Sequence, residues 1–140
     1  MVPECEEKIR SLLKKEEKIL LAYLFGSAAR GEMTSLSDID IGILFNSGIN
    51  AMRRYDLKLE IMGEISSACG INKIDIIDME KGSTLLNYNI IKHAKILKSE
   101  DENMRVHFET SLLSKYLDEK YYLQRHTDQL LKRIASRGLV

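Results

Sequence analysis

The chain reads as an α/β domain of about four strands flanked by helices and closed by a long helical segment. Two observations predict this. Apolar runs of strand length at 19–25, 38–45, 73–78 and 94–98 are separated by stretches whose apolar residues recur at helical spacing. Beyond residue 100, a period near 3.6 persists to residue 136. At 140 residues, 44% hydrophobic and 30% charged, the chain has the size and balance of one domain able to bury a core.

Taken in order, residues 4–18 carry Ile9, Leu12 and Leu13 at amphipathic spacing and predict a short helix. Ile19 to Phe25 is an unbroken apolar strand that ends at Gly26, and residues 27–31 predict a short helical turn. A second strand at 38–45 is closed by Asn46-Ser47-Gly48. From Asn50 to Cys69, Met52, Leu57, Leu59, Ile61, Met62 and Ile65 fit a helix with a buried stripe, stopped by Gly70. Lys73 to Asp78 alternates into a third strand, 83–93 is helical, and Ala94 to Lys98 is a short edge strand.

Residues 101–136 pose a geometric problem. A continuous helix of that length would be about 54 Å long, against roughly 36 Å for a compact domain of this size. It must break, with Asp118 to Tyr122 the best place, or overhang and need a partner. The organisation expected is a core over 1–100 and a helical extension over 101–140, packed on the core or on a partner.

Composition excludes several classes. Twenty-one basic residues against 21 acidic ones leave no net charge, which disfavours general nucleic-acid binding. The acidic start Met1-Val2-Pro3-Glu4-Cys5 is not a secretory signal, and no apolar run nears the ~20 residues of a membrane span. Cys5 and Cys69 have no metal-like spacing and read as free thiols of a reducing, cytoplasmic setting.

The chemistry concentrates in residues 26–40. Gly26-Ser27 ends one apolar run, and ten residues later Asp38-Ile39-Asp40 opens the next. Such a pattern arises by chance at roughly one in 10^5 start positions. A glycine turn lets backbone N–H groups approach phosphate oxygens. Two aspartates two apart on a strand share a face, where they can hold divalent metal. Nucleotidyl transfer uses two Mg²⁺ ions to hold the triphosphate and stabilise pyrophosphate, and paired metals want a third carboxylate. Asp75, flanked by apolar residues on the third strand, is the best candidate; Asp78, on the opposite face, is a strand-end turn residue.

On these residues the chain resembles the polymerase β-like nucleotidyltransferases. The version Gly26-Ser27-Ala28-Ala29-Arg30-Gly31, the small size, the strand Ile74-Asp75-Ile76-Ile77-Asp78 and the segment from Met104 to Asp118 are similar to the minimal nucleotidyltransferase (MNT) group. The resemblance implies a mixed sheet flanked by helices and Mg-ATP as donor. It also implies an antitoxin that transfers AMP onto a tyrosine of a HEPN-domain ribonuclease toxin encoded by a neighbouring gene. Carried over, Asp38, Asp40 and Asp75 are metal ligands, with Asp75 also helping to deprotonate the acceptor. Gly26 and Ser27 hold phosphates, and nucleotide contact extends to Arg30 and Ser37. The competing readings are an antitoxin that blocks its toxin sterically and a small-molecule nucleotidyltransferase.

Blander roles stand beside these. Ser27 can cap its turn, Arg30 can pair with a local carboxylate, and Ser37 can order the turn before Asp38. Gly31 and Gly42 read as backbone-conformation residues. His93, His107 and His126 are too dispersed for a metal site. Arg53-Arg54 and the lysines at 92, 95 and 98 read as solvated faces. Tyr116, Tyr121 and Tyr122 divide evenly between a partner surface and internal packing.

Overall fold

The computed structural model describes residues 3–31 and 38–137. The elements follow in the order α1 (Pro3–Lys15), β1 (Ile19–Phe25), β2 (Ile39–Phe45), α2 (Ala51–Cys69), β3 (Ile74–Asp78), α3 (Thr84–Ile91), β4 (Lys95–Ser99) and α4 (Glu102–Ser136). The four strands form one mixed sheet in the order β3-β2-β1-β4. β1 runs antiparallel to both β2 and β4, and β2 pairs in parallel with β3. The parallel pair is possible because α2 carries the chain back to the starting end of the sheet.

Each face of the sheet is covered. On one, Ile9 and Leu13 of α1 and Leu57, Ile61 and Ile65 of α2 pack on Leu24, Ile41, Ile43 and Ile76. On the other, Leu21 and Tyr23 meet Met79 and Ile90, with Met104 and Phe108 of α4 alongside. β1 feeds both faces. A register shift between Ile19 and Leu21 lets Ile19 and Ala22 share a face despite their odd spacing. Gly42 has an ordinary φ, and its lack of a side chain serves packing. A Cβ there would stand 3.0 Å from Ile90 Cγ2 and 3.2 Å from Met79 Sδ.

Helix ends obey local chemistry. The Asn50 side chain accepts from Arg53 N at the start of α2, and Gly70, at φ 67°, ends it in the left-handed region. The buried stripe of α2 is narrower than its sequence suggests. Met52 and Leu59 are exposed, because the Leu57-Ile61-Ile65 line faces the sheet, with Met62 partly buried beside it.

Three further expectations are overturned. Cys5 and Cys69 are joined in a disulfide, so the free-thiol reading and the redox argument built on it fall. The physical reason is tertiary: α1 and α2 lie side by side and bring the two Cα atoms to 5.3 Å, within bridging range. Lys98 is not on a solvated face; it is buried, its Nζ donating to Glu16 O at 2.6 Å and pairing with Glu100 at 3.4 Å. Arg54 is likewise largely covered and ion-paired.

α4 does not break. It is one helix of 35 residues, about 52 Å long, and its first half packs on α3 through stacked Tyr88 and Tyr116 rings 3.7 Å apart. Beyond that contact it overhangs: Tyr121, Tyr122, Leu123, Leu130, Leu131 and Ile134 are all exposed. The tyrosine cluster therefore splits, with Tyr116 packed internally and the other two left on the surface. No described helix is long and apolar enough to cross a membrane.

Candidate active site

The site forms where the last residues of β1 meet the first residues of β2 and β3. β1 runs into Gly26, whose φ of 73° is open to glycine and costly for other residues. The chain then folds into a tight turn, with Arg30 N donating to Gly26 O (3.3 Å) and Gly31 N to Ala28 O (3.4 Å). Ser27 is half-buried and Arg30 exposed in this turn. Gly31 takes a φ of 71°, as its reading as a conformational residue expects. Ser37 lies outside the described residues.

Antiparallel pairing sets Phe25 opposite Asp40, so the turn and the first carboxylates are neighbours by register. Parallel pairing sets Asp40 opposite Asp75. Gly26 and Asp40 are in intimate contact: a Cβ on Gly26 would overlap Asp40 Oδ2 and lie 3.3 Å from Asp40 Cγ. Asp40 is half-buried while Asp38 and Asp75 are exposed. The Asp40 pKa is raised above the usual carboxylate value, first by burial, then by the charge of Asp75, then by that of Asp38. Carboxylates from positions 38 and 75 thus both act on Asp40 at one corner of the sheet.

This donor set fits divalent cations. It is all oxygen, it is anionic, and its members repel one another until a positive charge comes between them. Among the described residues no three acidic, histidine or cysteine side chains already converge into a coordination cage. The coupling between Asp38, Asp40 and Asp75 is therefore electrostatic as the chain stands.

Asp78 behaves as a strand-end residue. Its Oδ1 accepts from Glu80 N at 3.1 Å, and its Oδ2 accepts from Arg54 Nε at 2.7 Å. Arg54 also donates to Ile49 O (2.6 Å) and lies 3.3 Å from Glu80, so it clamps α2 to the end of β3. Sequence reasoning missed this residue as a support of the Asp75 strand, since nothing in the chain links positions 54 and 78. His93, His107 and His126 are exposed.

A glycine turn thus stands beside Asp40, whose carboxyl feels the charges of Asp75 on the neighbouring strand and of Asp38 just before β2. The chain belongs to the polymerase beta nucleotidyltransferase family, whose model matches residues 7–103. That match ends just inside α4, so most of the long helix lies beyond it.

Among individual proteins, the chain is 26% identical over 134 residues to the protein adenylyltransferase MntA of Shewanella oneidensis, covering 95% of this chain and 92% of that one. Its structure is similar to a toxin–antitoxin crystal structure with AMP-PNP, at 27% identity and a TM-score of 0.69, covering 90% of this chain and 98% of the other. A tri-AMPylated Shewanella oneidensis HEPN toxin in complex with its MNT antitoxin matches at 25% identity and a TM-score of 0.65, covering 91% and 96%.

Proposed function

We propose that this chain is a Mg²⁺-dependent protein adenylyltransferase that serves as the antitoxin of a toxin–antitoxin pair. It transfers AMP from ATP to a tyrosine hydroxyl of a HEPN ribonuclease toxin encoded by a neighbouring gene. The observation that carries the reading is the register of Asp40 against Asp75 beside Gly26, a catalytic apparatus that a purely steric inhibitor would not need. The likeness to MntA, which runs through almost the whole of both chains, supplies the acceptor class.

In this reading Asp38, Asp40 and Asp75 hold two Mg²⁺ ions, which when bound neutralise the triphosphate and stabilise the leaving pyrophosphate. Gly26 and Ser27 present backbone N–H groups and a hydroxyl to the β- and γ-phosphates, with Arg30 and Ser37 completing the nucleotide contacts. The acceptor oxygen attacks the α-phosphorus and a new P–O bond forms. The α–β bridging bond breaks, and pyrophosphate leaves with its electron pair. The acceptor proton passes to Asp75 or to solvent. Residues 1–100 are the catalytic unit, and 101–140 the extension that meets the partner. We place the reaction in the cytoplasm because ATP is there, the thiol argument having fallen.

The overhanging half of α4 supports a partner. It presents leucines and tyrosines to solvent along several turns, and a lone helix of this kind is stable in water only when its apolar face is covered.

Intact-mass measurement tests the reading. Incubated with this chain, ATP and Mg²⁺, the neighbouring gene's product should gain mass in AMP units, and should not with Asp38→Ala/Asp40→Ala. A stable complex without any gain would favour steric blocking instead.

A further inference from the structure

β3 is the outermost strand of the sheet, and its outer edge pairs with no described strand. Beside that edge lies an open groove of about 400 Å³, lined by Tyr55 and Lys58 of α2, Asp75 and Asp78 of β3, and Lys81 and Leu86 beyond it. Its charges are unequally used. Arg54 is committed to Asp78, Glu80 and Ile49 O. Lys58 and Lys81, one from the helix and one from the turn after β3, form no ion pair with any described residue. Tyr55 adds an aromatic ring that is 57% exposed.

The position of this groove follows the geometry of the reaction. In an in-line displacement the entering and leaving oxygens stand on opposite sides of the phosphorus. The glycine turn that receives the leaving phosphates is at the end of β1, and Asp38 and Asp40 precede or open β2, one strand over. The entering oxygen must then come from the β3 side. Asp75 borders both the metal corner and the groove.

We infer that this groove receives the acceptor segment of the modified protein: an extended stretch of polypeptide that presents its hydroxyl at Asp75 and sets acidic side chains against Lys58 and Lys81. The inference rests on the adenylyl-transfer reading and adds to it the residues that select the acceptor. An edge strand offers backbone groups to an incoming segment, while the two ammonium groups steer acidic partners and oppose basic ones. Neither lysine is among the residues assigned above to metal or to the triphosphate.

The test compares the full-length wild type with Lys58→Glu/Lys81→Glu, and with Lys58→Gln/Lys81→Gln to guard against a folding defect. Three quantities are measured on each: affinity for Mg-ATP, affinity for the neighbouring gene's product in the presence of Mg-AMP-PNP, and kcat/KM for AMP transfer to it. Charge reversal should lower kcat/KM toward the acceptor by about tenfold or more and weaken acceptor binding. The glutamine pair should fall between, and ATP affinity should hold within about twofold. Unchanged acceptor binding and transfer would overturn the inference, as would a loss confined to ATP affinity, which would assign the lysines to the nucleotide. If the wild type transfers no AMP at all, the catalytic reading fails by itself. The binding comparison then still decides the groove.

Discussion

Gly26 has no room for a side chain because the carboxylate of Asp40 fills the space a Cβ would take. The contact joins the turn after β1 to the Asp40 side chain at the start of β2, so that the turn proposed to hold phosphate and a carboxylate proposed to hold metal touch directly. Substitution of Gly26 by alanine combines a strained φ of 73° with displacement of Asp40. We expect a cost of about 1–3 kcal/mol in unfolding free energy and loss of Mg-ATP binding, read by denaturant titration and calorimetry. Wild-type nucleotide affinity in Gly26→Ala would separate the turn from the site.

Asp40 carries the electrostatic tension of the site. Its folded-state pKa is raised by burial and by Asp75 and Asp38, so its charge opposes folding at pH values above its folded pKa. Below the unfolded value the carboxyl is neutral in both states and the opposition is gone. Stability from this group therefore falls as pH rises through the raised pKa. Without divalent metal, Asp40→Asn should melt higher than wild type at neutral pH, with the gap closing towards pH 3, while AMP transfer is abolished. Added Mg²⁺ should raise the wild-type Tm more than that of the variant. Equal melting at neutral pH would contradict the repulsion.

The Cys5–Cys69 bridge closes a loop of 64 positions. Chain entropy alone makes such a link worth up to about 4 kcal/mol. Purified without reductant, the chain should show no reactive thiol, and dithiothreitol or Cys5→Ser/Cys69→Ser should lower stability by a few kcal/mol on that scale. Full thiol titration of the folded, untreated protein would exclude the bridge.

Tyr23 is fully enclosed on the α3–α4 face, and its hydroxyl finds no hydrogen-bond partner among the described residues. Burial is the first cause raising its pKa, with Glu109 next. Tyr23→Phe removes a desolvated polar group and little volume. It should leave stability unchanged or raise it by about 1 kcal/mol in urea titration; a clear loss would reveal a partner for the hydroxyl.

On the overhang of α4, Leu123, Leu130 and Ile134 are 62%, 49% and 42% exposed and support nothing in the core. Replacing all three with glutamate should shift Tm by no more than a degree or two per substitution, as expected for changes within about 0.5 kcal/mol. Binding to the toxin should be lost in a co-purification assay. Retained binding would move the interface elsewhere.

Much of this was legible in the chain. β1, β2, α2 and β3 stand within a residue or two of where apolar runs, Gly26 and Gly70 put them, because local hydrophobic patterning and left-handed glycines act over a few residues. For Asp38 and Asp40 strand periodicity predicts a shared face, although β2 begins at Ile39 and leaves Asp38 just before it. Asp75 was legible only as an aspartate on a neighbouring strand. Its position opposite Asp40 is set by parallel pairing.

What the residues determined by themselves was the element order and the types of group offered to the site. Only the tertiary structure decided which distant groups meet. It brought Cys5 to Cys69 through the packing of α1 on α2, tied Arg54 to Asp78 across 24 positions, and drew Lys98 inside against Glu16. It also settled α4, for which the sequence allowed a break or an overhang. Helical periodicity states which residues share a face, whereas the point at which that face leaves the core depends on where α3 begins, since α4 runs from Tyr116 beside Tyr88 to Glu119 beside Thr84 and then past it.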